Sequence, residues 1–533
     1  MAKGLSYQPL IDFGVNGLNS QRNPSTLDST WLTSAENIVL RESGRISFRK
    51  GLKQKVVPTG TAIASLVEHN DQGTNKIFAS HGTSIYTIDF TSPNAAFPTG
   101  DDDTKHTVAN SSGDWQFVNF NDRLHCFHAG VVPQRYDGSL GSGVKWIAHA
   151  TDPASIVTLF DPSCGMGYYG RIWCGGVAEA NDVVYYSNLL DGDDWTGGDT
   201  GLIDLSKVWG TDEIVALAPF YGKLVIFGKN NIVVYNSPET VGDLAVDEVI
   251  RGIGCVSRDS VQAIGDDLVF LSATGLRSLY RTTEKDKLPL MDLSVNIKDT
   301  LIRNIGQSTD VKSVYVENEG VYIMSFVDKN INYVFDFKHI TPNEVPRITT
   351  WTFDLDREPA SMAYTKLYSG LLVGQKDGSI AGYEGYHDID LAWVDSAVSY
   401  TNAAFTSNIS SIWISLGGEQ IVSSSLLKRM LLVLEGGSGS TLSLRWYKDF
   451  SASSSATTTI ELRPDTTGST ALWGAADSLY GAAKFTPIYG LKEYKTPLTG
   501  SAKHLKLNLS IASNGYDASI QDLTLLHKEG KIR

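Results

Sequence analysis

Cysteine is scarce in this chain. Its 533 residues hold four, Cys126, Cys164, Cys174 and Cys255, with no C-x-x-C pair among them. That excludes a disulfide framework and the usual zinc-ribbon spacings. The four thiols read as small buried hydrophobes in a reducing compartment. No run of about 18 apolar residues occurs, so no membrane-spanning helix is expected. The stretch Met1 to Leu10 carries one lysine and no apolar core, unlike a secretory leader. Positive charge is also short: 45 Lys and Arg face 59 Asp and Glu, a net charge of −14. A protein that grips nucleic acid needs a basic surface to displace counterions. The balance does not exclude a protein that lets DNA pass without holding it, since an acidic wall discourages phosphates from sticking.

Catalytic signatures are missing too. There is no G-x-S-x-G elbow and no H-E-x-x-H pair, and the ten histidines are scattered. His125-Cys126-Phe127-His128 invites a metal-site reading. On a strand, however, positions 125 and 128 face opposite sides of the sheet, so the two imidazoles cannot close on one ion. The loop Asp191-Gly192-Asp193-Asp194 lacks the later ligands and terminal Glu of a calcium-binding EF-hand loop and reads as a solvated turn. Asp101-Asp102-Asp103 reads the same way. Gly436 to Thr441 is glycine-rich without a lysine to meet a phosphate, and reads as a flexible hairpin loop. Ser187 to Trp195 approaches the box repeated in sialidase propellers, but once only and with the wrong spacing. No catalytic residue, metal or cofactor is expected.

What the chain does have is glycine, 50 residues, and tyrosine, 23 against 19 phenylalanines. These suit many short strands joined by tight turns. A strand–turn–strand–turn–strand unit recurs along the chain. It is clearest where Ile214 to Phe220, Tyr221-Gly222-Lys223, Leu224 to Phe227, Lys229-Asn230-Asn231 and Ile232 to Tyr235 follow one another. Anchoring turns fall at 82, 122, 170, 222, 265, 320 and 370, a period of about 40–55 residues that marks propellers and arrays. Gly, Asn or Asp at such points supplies the positive φ of a tight hairpin turn. Helical periodicity is almost absent, confined to Ser294–Ile302 with its serine N-cap and to a short helix at Ser34–Ile38. An open meander of this length would expose two long edges, and a ring of blades leaves only short ones.

The fold expected is therefore all-β: a β-propeller of about seven blades, with six or eight compatible, over residues 59–395. An N-terminal arm (1–58) precedes it. A β-sandwich-like domain follows it (396–533), signalled by the alternation of Leu505, Leu507, Leu509 and Ile511.

Three segments together resemble a known family. The first is Gly14-Val15-Asn16-Gly17-Leu18-Asn19, then Asn37-Ile38-Val39-Leu40, Gly44-Arg45-Ile46 and Arg49-Lys50-Gly51-Leu52. The second is Val183-Val184-Tyr185-Tyr186-Ser187 with Trp195. The third runs from Gly252-Ile253-Gly254-Cys255 through Asp267-Leu268-Val269-Phe270-Leu271 to Gly275-Leu276. In this order they resemble the tail nozzle proteins, or tail tubular protein B, of short-tailed bacteriophages. The resemblance implies a homohexamer around an axial channel, below a dodecameric head-to-tail adaptor, with tail fibres or spikes at its side. Such an assembly, sited in the virion tail after synthesis in the host cytoplasm, retains double-stranded DNA and conducts it at ejection. On this view the arm and the C-terminal domain form a platform. Asn16, Leu18, Asn19 and Arg22 are candidate adaptor contacts. Asp101, Asp102, Asp103, Asp191, Asp193 and Asp194 are candidate channel-lining acids. The family pattern carries no catalytic residues. The contrasting expectation is a monomeric propeller that binds or cleaves host glycan.

Overall fold

The structure of the protein is a computed structural model. It describes residues 5–41, 44–88, 90, 96–99, 103–149, 151–156, 158–280, 292–308, 310–354, 357–386, 388–389, 402–416, 424–437, 439–462, 491–513 and 515–529. The fold is a β-propeller joined to a two-layered β platform. Among the described residues, five four-stranded sheets and one three-stranded sheet stand as separate blades. A seventh set, Val311–Val316, Val321–Phe326, Ile331–Ile340 and Pro346–Trp351, is one end of an eleven-stranded sheet. The innermost strands touch in sequence: Ser65–Asp71, Gln116–Phe120, Cys164–Tyr168 and Ile214–Phe220. Next come Gln262–Ile264 with the turn Arg258–Ser260, then Val311–Val316, and then Pro359–Thr365, which meets Ser65–Asp71 again. The ring is closed.

Tight turns set each blade's register. Asn121 and Asp122, Tyr169 and Gly170, and Tyr221 and Gly222 all have positive φ between directly paired strands. This is the geometry whose twist matches a hairpin. The turn at 82 is out of phase with the others. It joins the second and third strands of the first blade, whereas its first hairpin closes at Gln72-Gly73. Counted from Gly73, the first interval is 49 residues, in step with the later ones. At the last unit, Gly370 begins a strand and Ser369 takes the positive φ.

The last blade is finished from far away in sequence. Leu52–Val56 pairs with Ile380–Tyr383 and becomes its outer strand, although the boundary at 58 placed it with the arm. The arm itself is woven into the platform. Leu5–Pro9 and Ile46–Phe48 both pair with Ala518–Glu529. Trp31–Glu36 pairs with Thr406–Ser411. The helix expected at Ser34–Ile38 is thus corrected to a strand that ends at Asn37 (φ +56°) before Ile38–Leu40 begins. A register shift between Leu32 and Ser34 puts Leu32 and Ala35, both buried, three residues apart, which imitates a helical period.

The platform's two layers enclose one core. Met430, Leu432, Leu434, Leu523 and Leu525 belong to one sheet, and Leu442, Leu444, Trp446, Leu505, Leu507 and Leu509 to the other. Ser425–Gly436 lies in the first layer and Thr441–Lys448 in the second, so the glycine-rich stretch does not join paired strands as a hairpin would. Val295–Ile297 and Lys298–Ile305 form the expected helix, a 3-10 turn running into an α-helix. Ser294 makes no side-chain cap, because its hydroxyl donates to Asp292. A further short helix, Ser206–Trp209, had no signal in the sequence. All four cysteines are buried, and burial pushes the Cys164 thiol up to about 12, so it stays protonated and unreactive. No helix among the described residues is long and apolar enough to cross a membrane.

Propeller and platform meet along a shared sheet. Pro346–Trp351 pairs with its own blade on one side and, in parallel, with Gly17 and Glu36 on the other. Gly17 is needed there: its φ is +76°, and a Cβ would lie 2.6 Å from the Ile348 carbonyl oxygen. Arg49, fully buried, pins the joint. Its guanidinium donates to both oxygens of Asp388 (2.9 and 2.6 Å), to the Asn37 side chain and to the Thr352 carbonyl. It also lies over the rings of Phe353 and Phe405. Removing one partner of such a pair leaves an uncompensated buried charge. Asp388→Ala is expected to lower unfolding stability by about 3–5 kcal/mol, and the double change Arg49→Met with Asp388→Leu by less, as read from urea unfolding midpoints and slopes.

Candidate functional site

Two regions concentrate charged and polar side chains: the propeller axis and the seam between the second and third blades. The axis is lined by the first strands of several blades, and an ion network crosses it. Arg258 donates to Asp114 (2.9 Å), Asp259 and the Ser163 carbonyl. Lys312 reaches Asp114 at 2.5 Å and Asp259 at 2.7 Å. Residues entering the second, third, fifth and sixth blades are thereby tied together beside a cavity of about 410 Å³. Despite burial, the cations Arg258 and Lys312 hold the Asp259 carboxyl well below the ordinary carboxylate value. The other mouth of the axis is a pocket of about 590 Å³, lined by Glu68, Asn75, Asn119, Asn121, Phe120 and Tyr364 among others.

The acidic loop lies elsewhere. Asp191 to Asp194 sit between the strands Val183–Tyr186 and Gly201–Asp204, on the outer side of the third blade, packed against the second. They do not line the propeller's own axis. Asp194 accepts from the amides of Thr196 (3.1 Å) and Gly197 (2.9 Å) and from Asn188, and those amides hold its carboxyl below the ordinary value. Asp191 accepts from the Asp193 amide, and Asp103 from the Gly143 amide. Asp191 and Asp194 close their own loop, whereas Asp103 ties the first blade to a loop of the second. Asp101 and Asp102 lie outside the described residues.

Asp193 behaves differently. It points into the second blade, where Arg123 and Arg135 approach one oxygen, and His125 and His149 the other. His125 and His128 do lie on opposite faces: His128 meets Ser112 and the Ala129 carbonyl, whereas His125 meets His149. Sequence reasoning missed His149 and the arginines as partners of this loop. Only the fold brings positions 125, 149 and 193 together.

Of the candidate arm residues, Asn16, Leu18 and Asn19 are buried. Asn16 donates to Thr30. Asn19 donates to Asn296 and accepts from the amides of Gln21 and Arg22. Their work is internal. Arg22 is exposed.

The axial network sets a pH dependence. Asp259's folded value is depressed, so its contribution to stability is present above the unfolded carboxylate range, about 3.9, and is lost as pH falls through the folded value. Asp259→Asn is therefore expected to be less stable than the parent at neutral pH and to lose less stability between about pH 4 and 2, as followed by thermal unfolding across pH.

No family model matches the sequence, and no curated protein matches it. Among solved structures it is similar to the WD40 domain of Pan2 from Neurospora crassa. That likeness has 8% identity, covers 64% of this chain and 97% of that one, and has a TM-score of 0.38. It is also similar to the β-propeller domain of Cps50 (Swd1) from Myceliophteria thermophila, at 10% identity, 63% and 98% coverage and a TM-score of 0.39. A third likeness is to PorZ, a surface component of the type-IX secretion system of Porphyromonas gingivalis: 11% identity, 69% of this chain, 43% of that one, TM-score 0.34. The propeller itself rests on the closed ring of sheets described above.

Proposed function

We propose that this chain is a structural virion protein of the tail-nozzle type. It would assemble as a homohexamer around a channel below the adaptor, retain DNA in the filled head and conduct it during ejection. The observation that carries this reading is where the residues of the sequence resemblance sit. Gly17, Asn37 and Arg49, from its opening segment, build the joint between platform and propeller. Gly254, from its third segment, lies where a Cβ would fall 2.2 Å from the Lys229 backbone, at the entry to the fifth blade. These positions do structural work, and the architecture they serve favours rigidity: one sheet runs from the platform into a blade, and ions bridge the axis.

In this reading the platform faces the adaptor, with Arg22 as the exposed arm residue. DNA passes an acidic wall without sequence-specific contact, and fibres or spikes attach at the side. The glycan-binding alternative draws on the axial pocket, whose amides, carboxylates and aromatic rings suit sugar hydroxyls and ring faces. Electron microscopy and mass measurement of the purified protein and of virion tails separate the two. A sixfold ring built from this chain, inert to host polysaccharide, is the expected result. A monomer that releases sugars from that polysaccharide overturns the nozzle reading.

A further inference from the structure

The geometry points to a transition-metal site of the zinc class at the seam of the second and third blades, formed by His125 Nδ1, His149 Nε2 and Asp193 Oδ1. The three atoms form a triangle with sides of 3.1 Å (His125–His149), 3.5 Å (His149–Asp193) and 4.0 Å (His125–Asp193). Bonds of about 2.0–2.2 Å to one tetrahedral ion place ligand atoms about 3.3–3.6 Å apart. Two imidazoles, one carboxylate and an open fourth position are a donor set for Zn²⁺ or its neighbours and not for Ca²⁺ or Mg²⁺, which take oxygen ligands.

Three further observations support it. Both imidazoles are fully buried. Asp193 Oδ1 is buried and accepts no hydrogen bond, which leaves its lone pairs to an ion. The loop is also fitted to its place. A Cβ at Gly192 would lie 2.7 Å from His125 Cε1, and Thr151 donates to the Asp193 carbonyl at 2.8 Å.

The surrounding charges admit a cation. Arg123 and Arg135 lie on Asp193 Oδ2, leaving Oδ1 to the histidines. Asp137 neutralises Arg123, and Asp191 acts on Arg135, so three carboxylates face two guanidiniums. One group opposes the ion. The Trp195 indole, a donor only, donates to His149 Nδ1 at 3.1 Å and so keeps the ring's proton on Nε2 until an ion replaces it. Binding must displace that proton, and Trp195 sets the affinity by resisting it. Since both histidines come from the second blade and Asp193 from the third, the ion clamps the two blades together.

The test is calorimetric titration of the full-length, chelator-stripped protein with Zn²⁺, with thermal unfolding alongside. One equivalent should bind and raise Tm. His149→Ala should abolish binding. Asp193→Asn, nearly isosteric and on a surface loop, should weaken it by at least about tenfold. Trp195→Phe, which frees Nδ1 to carry the proton, should tighten it. Circular dichroism confirms that each variant is folded, and Co²⁺ in place of Zn²⁺ should give the visible absorption of a tetrahedral site. Absence of one-to-one binding in the parent protein overturns the proposal. So does binding unchanged in folded Asp193→Asn, or binding by Trp195→Phe no tighter than the parent's.

Discussion

The last blade of the ring, and with it the tie between propeller and platform, depends on one borrowed strand. Leu52–Val56 leaves the platform, crosses to the last blade and supplies the outer strand that Ile380–Tyr383 would otherwise lack. Without it the blade would present an unpaired row of amides and carbonyls beside a hydrophobic face. The segment before it, Ile46–Phe48, is held in the platform sheet, and Arg49 lies buried between the two. The platform therefore fixes the position of the strand that completes the propeller. The two bodies are joined by this strand, by the buried ion pair and by the sheet that passes through Pro346–Trp351.

Local chemistry made much of this fold legible in the sequence. Hairpins announced themselves because Asn121-Asp122, Tyr169-Gly170 and Tyr221-Gly222 lie between apolar runs and take positive φ. The alternation from His504 to Ala512 marked a strand with one buried face. Two kinds of information were not local. One was phase: in the first blade two turns compete, and composition does not say which joins the first strand to the second. The other was pairing at distance. Nothing in Leu-Lys-Gln-Lys-Val at 52–56 names Ile380–Tyr383 as its partner, and nothing in Trp31–Glu36 tells a bulged strand from a helical turn once Leu32 and Ala35 fall three apart.

The polar clusters follow the same rule. The acidic loop at 191–194 was visible as an acidic loop, and two of its members do what Asp does in turns, accepting from nearby amides. That Asp193 instead reaches two histidines and two arginines on the neighbouring blade depends on blade packing alone. The axial network of Asp114, Arg258, Asp259 and Lys312 was equally silent in sequence. Its members are up to 198 residues apart, and only radial convergence of the first strands unites them.

The borrowed strand also constrains how the molecule is made. Val56 leaves the ribosome long before its partner Ile380 exists, more than 300 residues later. At roughly 5–20 residues per second, that is about 15–65 seconds during which Leu52–Val56 has no native edge to dock on. The platform waits longer still, since Leu5–Pro9 pairs with Ala518–Glu529. The early blades must stay soluble while their distant partners are still to be made, and the annealing of Leu5–Pro9 onto Ala518–Glu529 comes late.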